Sequence, residues 1–408
     1  MSEHALLGAM EMNASRAGTG VLLTHGRNRI AYGVLRSLRA RGIPVHVGDS
    51  RPGTMCARSR LAAGTFVYPS PFADETAFVD RIVAEAHRRG CGVVMPVLEE
   101  GFALARQAHR LPPTLRLAAP AYAHILLAHD KWRWAEQASS LGIATPIAIR
   151  ADALISEPPL IETLRFPVLL KPRQGGGAWA IEHLESPDAL RARLRAPATS
   201  QAPWERFFVQ ERITGRVHCV AVVAAHGAVR AAVGYRQVRE LPITGGQATA
   251  RISEDIPAAR DALQRFVAAT GWHGVCQADF LVEQDTGIPY LIDLNPRLWG
   301  SVAQAVAAGI DVPWLLYRLA IDGDLEPQAA RSPATRTRWL GGELGVLLEA
   351  LQATPRRWDL VRAVSLPGTR AQAWDDLVLS DPLPFLTWLF EKASGRGGAV
   401  DTMEGVWS

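Results

Sequence analysis

Asp293, Asn295 and Arg297 follow one another at intervals of two residues, at the end of an apolar run that starts at Pro289. Residues two apart in an extended segment point to the same side, so Asp293 and Asn295 can offer two oxygen ligands to one cation. Such ligands suit Mg²⁺ carried on nucleotide phosphates, and a guanidinium suits a phosphate or carboxylate oxygen. A capped turn followed by a surface arginine would have the same sequence, so other motifs must decide between the two interpretations.

Lys171 is a second candidate for phosphate chemistry. It ends an apolar run and stands four residues before three consecutive glycines, Gly175, Gly176 and Gly177. A lysine there can reach a phosphate as a point charge, while a glycine-rich hairpin can fold its backbone N–H groups over the anion. The motif is not a P-loop, because the lysine precedes the glycines and no Gly-Lys-Ser/Thr follows.

The elements that must position these residues begin with an alternation of short apolar strands and amphipathic helices. It predicts strands at residues 21–23, 42–49, 65–68 and 91–96, with helices at 30–41 and 75–89. This pattern is typical of an open parallel sheet. Asp49 stands where a dinucleotide-binding domain has its ribose-binding acid, but the first turn lacks Gly-x-Gly-x-x-Gly, which disfavours nicotinamide or flavin binding.

The rest of the chain mixes strands and helices. Residues 120–149 are predicted to be mainly helical, a helix is predicted at 257–270, and a final helical segment is predicted at about 338–390. Strands are predicted at 166–172, 207–210, 217–223, 229–235, 275–282 and 290–294, the last two forming a hairpin through residues 285–287.

Composition limits the class of protein. The 408 residues are 48% apolar and 21% charged, which is ordinary for a globular protein, and 44 basic against 40 acidic residues give a net charge of +4. No basic stripe with interleaved aromatic residues occurs, so nucleic acid is not an expected partner. No apolar run approaches the roughly 18 residues of a membrane-spanning helix, and residues 1–18 lack a signal-peptide pattern. The four scattered cysteines match neither a metal site nor a disulfide framework, and we therefore expect a cytoplasmic protein.

Six motifs, taken in order, resemble the ATP-grasp superfamily over about residues 20–325, and are most similar to the grasp modules of carbamoyl-phosphate synthetase and the carboxylate–amine ligases. They are Asp130-Lys131, Lys171-Pro172 with its glycines, Gln210 to Gly215, Thr244 to Gln247, Gln277 to Phe280, and Asp293 to Arg297.

The resemblance implies an α/β protein with an α+β grasp. It would consist of a flexible tail (1–18), an open parallel Rossmann-like pre-ATP-grasp domain (19–118), the two lobes of an ATP-grasp module (119–212 and 213–325) and a helical C-terminal extension (326–408). The extension shows no recognisable chemistry, and either packing on the module or a homo-oligomer contact would explain its apolar positions.

The resemblance also implies roles for individual residues. Lys131 and Lys171 would neutralise the α- and β-phosphates of ATP, and Gly175, Gly176 and Gly177 would cover the triphosphate as a lid. Gln210, Glu211 and Ile213 would line the adenine hinge. Asp279, Asp293 and Asn295 would hold Mg²⁺, with Mn²⁺ as an alternative, and Arg297 would stabilise the transferring phosphoryl group.

Two positions depart from the family pattern. Three residues after Gly215, where the synthetase module has a glutamate on the ribose hydroxyls, this chain has His218, which can still hydrogen-bond a ribose hydroxyl but offers a single acceptor. Asp293 replaces the commoner glutamate, and it remains a hard oxygen ligand on a shorter side chain.

We therefore predict an ATP-dependent ligase that joins a small carboxylic acid to an amine through an acyl phosphate. Bicarbonate phosphorylation, as in carbamoyl-phosphate synthetase, is one alternative, and a nucleotide-binding module without turnover is another.

Further polar residues are open to both functional and structural interpretations. Arg236 and Arg239 are predicted on a loop that could recognise a carboxylate or phosphate, or form a solvated hairpin. Glu99 lies at a carboxyl edge of the predicted sheet, where ligands tend to bind. His25 and Arg27 occupy the first turn of that sheet.

Overall fold

A computed structural model describes residues 19–175, 181–196, 203–243, 245–329, 335–353, 355–365 and 373–394. Gly176, Gly177, Thr244 and the predicted tail at residues 1–18 lie outside the described residues. The described chain forms two compact units. The first comprises residues 19–119, 297–326 and 373–394, and the second comprises the described parts of 120–296 and 327–372.

The first unit contains the predicted parallel sheet. Its strands lie in the order β3-β2-β1-β4-β5, and each neighbouring pair is parallel. The elements in chain order are β1 (Gly20–Leu23), α1 (Arg29–Ala40), β2 (Val45–Asp49), β3 (Gly64–Val67), α2 (Glu75–Arg89), β4 (Cys91–Met95), α3 (Glu100–Arg106) and β5 (Arg116–Leu117). Val21, Leu22 and Leu23 are fully buried, as expected for a parallel strand covered on both faces.

The N-terminal part of the second unit is a small antiparallel sheet with helices. Its strands lie in the order β6-β9-β7-β8. The elements are α4 (Tyr122–His129), α5 (Lys131–Ser140), β6 (Ala148–Arg150), α6 (Ala151–Ser156), β7 (Val168–Pro172), β8 (Glu182–Leu184), α7 (Pro187–Arg195) and β9 (Phe207–Glu211). Asp130 begins α5 by accepting hydrogen bonds from the backbone N–H groups of Trp132 and Arg133.

A larger antiparallel sheet follows. It is built from β10 (Gly215–Ala225), β11 (Ala228–Leu241), β12 (Gln247–Ser253), β13 (Gly274–Glu283) and β14 (Pro289–Asn295), with α8 (Pro257–Thr270) inserted after β12. The strand order is β14-β13-β10-β11-β12. One face is apolar, where Val220, Val222 and Phe280 share a buried core with Leu263 and Phe266 of α8. Because side chains alternate along a strand, the residues between them point to the other face.

The segments after β14 are α9 (Val302–Ala307), α10 (Val312–Asp322), β15 (Arg336–Arg338), α11 (Leu340–Gln352), α12 (Trp358–Ser365), β16 (Ala373–Trp374) and α13 (Leu383–Ala393). The predicted helical character of residues 338–390 is confirmed for three helices, but β15 and β16 were not predicted. β15 pairs with β12 and extends the larger sheet. A three-residue strand is too short to show an alternating pattern in the sequence.

Of the region after residue 326, the described parts of 327–372 belong to the second unit and residues 373–394 to the first. The boundaries proposed from the sequence within 119–325 and at residue 326 remain predictions. None of the described helices is long and apolar enough to span a membrane.

Candidate functional site

The β13–β14 hairpin brings the predicted metal ligands together. Asp279 is directly opposite Asp293, and Gln277 is directly opposite Asn295. Asp279 and Gln277 lie two residues apart on β13, as Asp293 and Asn295 do on β14, so all four side chains belong to one face of the sheet. The register of a single hairpin therefore places two carboxylates and two amides side by side.

Hydrogen bonds fix the orientation of these polar groups. Asp279 Oδ1 accepts from Cys219 Sγ at 2.9 Å and from Gln277 Nε2 at 2.6 Å. Gln277 Oε1 accepts from Asn295 Nδ2 at 2.9 Å, and the same nitrogen lies 3.5 Å from Asp293 Oδ2. Two carboxylates and an amide oxygen are hard ligands that fit Mg²⁺ or Mn²⁺. No group of three or more His, Cys, Asp or Glu side chains suited to a metal occurs among the described residues.

Lys171 is a buried cation of the second unit. It ends β7 with 9% of its surface exposed, and its Nζ donates to Gln210 Oε1 on the neighbouring strand β9 at 2.7 Å. The pKa of Lys171 is lowered to about 8, mainly by burial; the charge of Asp293 opposes the shift, and nearby Lys131 adds a smaller lowering. The lysine therefore remains mostly charged near neutral pH and loses its proton above about pH 8, and an anionic ligand would stabilise its charge.

Lys131 is held at the start of the glycine run. Its backbone N–H donates to Arg173 O at 2.7 Å, and its Nζ donates to Gly175 O. Gly175 has φ +116°, which favours glycine. Arg173 also binds Asp130, the residue that caps α5, at 2.6 Å. The turn before the predicted lid is thus tied to the predicted phosphate-binding lysine.

The residues predicted for the adenine hinge follow β9. The Glu211 carboxylate is 3% exposed and accepts from the backbone N–H and Nε of Arg165, at 2.9 and 3.1 Å. The described contacts of this side chain are therefore local ones with Arg165, and its role in an adenine hinge remains a prediction. Ile213 is half-buried, and no acceptor for its backbone N–H lies among the described residues.

His218 lies on the opposite face of β10 from Cys219 and the acids. It is 5% exposed, its Nδ1 is 3.2 Å from Arg216 O, and its Nε2 is 3.4 Å from Glu254 Oε1. The described contacts therefore do not join His218 to the metal face, and its ribose-binding role remains a prediction.

The described contacts of Arg297 lie in the first unit. Its Nε donates to Glu99 Oε1 at 3.0 Å, and its Nη1 donates to Leu298 O at 3.0 Å. About a fifth of the Arg297 side chain and a quarter of the Glu99 side chain are exposed. Glu99, which was open between a substrate role and a structural one, is therefore the residue that orients Arg297.

The polar residues of the first turn are bound to one another. Arg27 binds Asp49 through its backbone N–H at 2.8 Å and through its guanidinium. Asp49, which stands at the position of a ribose-binding acid, is therefore engaged by Arg27. His25 lies 3.4 Å from the buried Glu100. Burial opposes ionisation of Glu100, but His25, Thr24 and the backbone of Val97 outweigh it and lower the pKa of Glu100 to about 2.

The predicted loop at residues 235–246 proves to be mostly strand, because β11 continues to Leu241. Arg236 binds Glu254 at 2.7 Å, and the buried Arg239 binds Glu343 of α11 at 2.6 Å. These contacts favour the structural interpretation of both arginines.

Sequence reasoning missed the place of Gln277 and Cys219 in the site. Gln277 could have been found from its spacing of two from Asp279, whereas Cys219 gave no signal.

Comparison with known proteins agrees with this geometry. Residues 128–301 match the sequence model of the ATP-grasp domain. Among similar solved structures are the biotin carboxylase domain of Hydrogenobacter thermophilus 2-oxoglutarate carboxylase, bound to MgADP, ADP and bicarbonate (TM-score 0.63, 18% identity, covering 76% of this chain and 72% of that chain), and a biotin carboxylase from Campylobacter jejuni in a beta-gamma-ATP complex (0.62, 18%, 78% and 73%). N5-carboxyaminoimidazole synthetase from Staphylococcus aureus is also similar (0.62, 16%, 83% and 86%).

At these identities the solved structures show a shared fold. No curated protein sequence matches the chain. The match at residues 128–301 confirms the predicted resemblance to the ATP-grasp superfamily, and the shared fold confirms the predicted fold class.

Proposed function

We propose that this chain uses ATP to convert a carboxylate into an acyl phosphate, which an amine then attacks to form an amide. The observation that carries the proposal is the pairing of Asp279 with Asp293, beside Asn295, on one face of the ATP-grasp domain. The buried ammonium of Lys171 adds support, because its charge acts on the same Asp293.

Each residue would contribute a simple electrostatic task. Lys131 and Lys171 would bind phosphate oxygens, and Asp279, Asp293 and Asn295 would hold the divalent cation. The cation would supply charge neutralisation on the transferring phosphoryl group. Arg297, whose guanidinium is oriented by Glu99, would bind oxygens of that group or of the acid as negative charge develops.

The proposed reaction has two balanced steps. A carboxylate oxygen attacks the γ-phosphorus, and the bond to the bridging β-phosphate oxygen breaks with its electron pair, releasing ADP. The amine nitrogen then attacks the acyl carbon and loses a proton, and phosphate leaves.

Bicarbonate is a second candidate for the acid. The chain shares its fold with a biotin carboxylase domain that was solved with bicarbonate, and this likeness in fold supports bicarbonate as a candidate substrate. Bicarbonate phosphorylation uses the same first step, so the two candidates differ in the oxyanion that stimulates ADP release.

A hydroxylamine trap tests the proposal. Protein, Mg·ATP and hydroxylamine are incubated with a panel of amino acids and small carboxylic acids, and hydroxamate and ADP are measured. We expect ATP-dependent hydroxamate with one class of acid. Asp293→Ala should lower the rate by about 100-fold, because it removes several kcal/mol of charge stabilisation. Asp285→Ala, in the exposed turn of the same hairpin, is the matched control and should keep the rate.

Three results would contradict amide ligation. Bicarbonate-stimulated ADP release without any added acid would favour the second candidate. Tight ATP binding in calorimetry with no turnover would favour a non-catalytic nucleotide-binding module. Absence of ATP binding would contradict amide ligation, bicarbonate phosphorylation and the nucleotide-binding module alike.

A further inference from the structure

A chain of side-chain hydrogen bonds crosses four strands behind the candidate metal ligands. Gln237 Nε2 of β11 donates to Cys219 Sγ of β10 at 3.5 Å, and that thiol donates to Asp279 Oδ1 of β13 at 2.9 Å. Gln277 joins Asp279 to Asn295 of β14. All five residues belong to the second unit.

Gln277 is the member of this chain whose orientation is chemically determined. An ionised carboxylate only accepts hydrogen bonds, so the Gln277 group facing Asp279 must be its NH₂. The Gln277 carbonyl oxygen then faces Asn295, which must donate its own NH₂. The side-chain oxygen of Asn295 is consequently turned away from Gln277.

This orientation matters because the two ends of an amide have opposite uses at a cation. The oxygen of Asn295 can bind a metal, whereas its NH₂ would repel one. A rotation of the Asn295 amide by 180° would exchange them. Gln277 is 3% exposed and cannot exchange this hydrogen bond for water at low cost.

We propose that Gln277 is a positioning residue of the metal site, which keeps the side-chain oxygen of Asn295 available to a divalent cation. The inference rests on the proposed function, because it takes Asp279, Asp293 and Asn295 as the ligands. It adds that a buried glutamine outside the ligand set determines the metal affinity.

Mn²⁺ binding in the presence of ADP, measured by electron paramagnetic resonance, tests the proposal without turnover. Gln277→Met keeps the length of the side chain and removes both hydrogen bonds. We expect Mn²⁺ affinity to fall by about tenfold or more, as for other residues that orient metal ligands, with metal-free ADP binding unchanged. Gln237→Met makes the same substitution at the far end of the chain and should keep Mn²⁺ affinity close to that of the native protein.

A second substitution separates orientation from general damage to the fold. A carboxylate presents oxygen on both sides, so Asn295→Asp should make the orienting role dispensable. In the Asn295→Asp background, adding Gln277→Met should cost much less Mn²⁺ affinity than it does in the native background. Damage to packing would cost the same in both.

Equal losses in the two backgrounds, or native Mn²⁺ affinity in Gln277→Met, would overturn this proposal and leave the proposed function standing. If the native protein binds neither Mn²⁺ nor ADP, the proposed function fails first, and this inference fails with it.

Discussion

At the scale of single residues, the candidate site depends on how burial changes the chemistry of ordinary side chains. Lys171 could be recognised in the sequence as a phosphate-binding candidate, but its lowered pKa could not. The shift comes mainly from its burial between strands of the smaller sheet, together with Lys131, a residue 40 positions away in sequence whose charge disfavours a second positive charge. Only the folded chain brings these causes together.

The lowered pKa of Lys171 predicts a pH dependence of ATP binding. Below about pH 8 the Lys171 amine is already protonated before ATP binds. Above about pH 8 it must take up a proton when ATP binds. Apparent ATP affinity should therefore fall by up to about tenfold per pH unit above pH 8. Calorimetry at pH 8.5 (roughly half a unit above the pKa) in buffers of different ionisation enthalpy would detect the proton uptake.

Lys171→Arg keeps its charge throughout this range and should remove the dependence. Lys131→Arg, at the half-buried lysine, is the matched variant and should retain it. Proton uptake that persists in Lys171→Arg would assign the titration to another group.

At the scale of elements, the larger sheet separates a packing face from a chemical face. Alternation along β10 and β13 sends Val220, Val222 and Phe280 to the core on α8, and sends Cys219 and Asp279 to the other face. A register slip of one residue between β13 and β14 would break the pairing of Asp279 with Asp293. Both strands and the hairpin between them were predicted from the sequence, so the pairing of Asp279 with Asp293 could be predicted without the structure.

Some elements outside the hairpin were harder to predict from the sequence. β15 and the far end of β11 were not predicted, because their positions depend on a buried cluster at the N-terminal end of α11. Glu343, which is 1% exposed, accepts from Arg239, Arg338 and Thr249. Burial opposes ionisation of Glu343, but these hydrogen bonds outweigh it and lower the pKa of its carboxyl.

The buried cluster predicts a large effect of removing its one negative charge. Glu343→Gln leaves two buried guanidiniums without a carboxylate, so the free energy of unfolding should fall by about 3 kcal/mol. Urea denaturation followed by circular dichroism measures the change. Asp359→Asn removes an exposed acid from α12 in the same unit and should have no measurable effect.

Equal stability of Glu343→Gln and the native protein would show that the cluster does not hold α11 to β11 and β15. It would also reopen a ligand-binding role for Arg239.

At the scale of the whole molecule, the first unit is assembled from three distant segments of sequence. Asp381, just before α13, accepts from Tyr32 of α1 at 3.1 Å, from Ser59, and from the backbone N–H of Arg60 at 3.2 Å. Tyr32 is fully buried and Asp381 is 4% exposed. A carboxylate near the end of the described chain thus completes the hydrogen bonding of its beginning.

Removal of this carboxylate should loosen the first unit. Asp381→Ala leaves the buried Tyr32 and Ser59 hydroxyls with fewer acceptors, and the free energy of unfolding should fall by about 2 kcal/mol. Hydrogen exchange of α1 should speed up accordingly. Asp80→Ala on α2 removes an exposed carboxylate of the same unit and should change stability by less than about 0.5 kcal/mol. Unchanged protection of α1 in Asp381→Ala would contradict this role.

The cytoplasmic location, the lack of nucleic-acid and membrane partners, and the homo-oligomer contact remain predictions from composition and resemblance. The described structure reports only that none of its helices could span a membrane.

The sequence by itself determined the alternating strands and helices of the first unit, the β13–β14 hairpin, the ATP-grasp resemblance and the Asp-x-Asn-x-Arg string, because period-two alternation and motif spacing are local properties. The tertiary structure decided which residues meet. It turned Gln277 and Cys219 toward Asp279, paired Arg297 with Glu99 and engaged Arg239 with Glu343. These contacts join residues that are distant in sequence or lie on different strands, and only packing and strand register bring them within hydrogen-bonding distance.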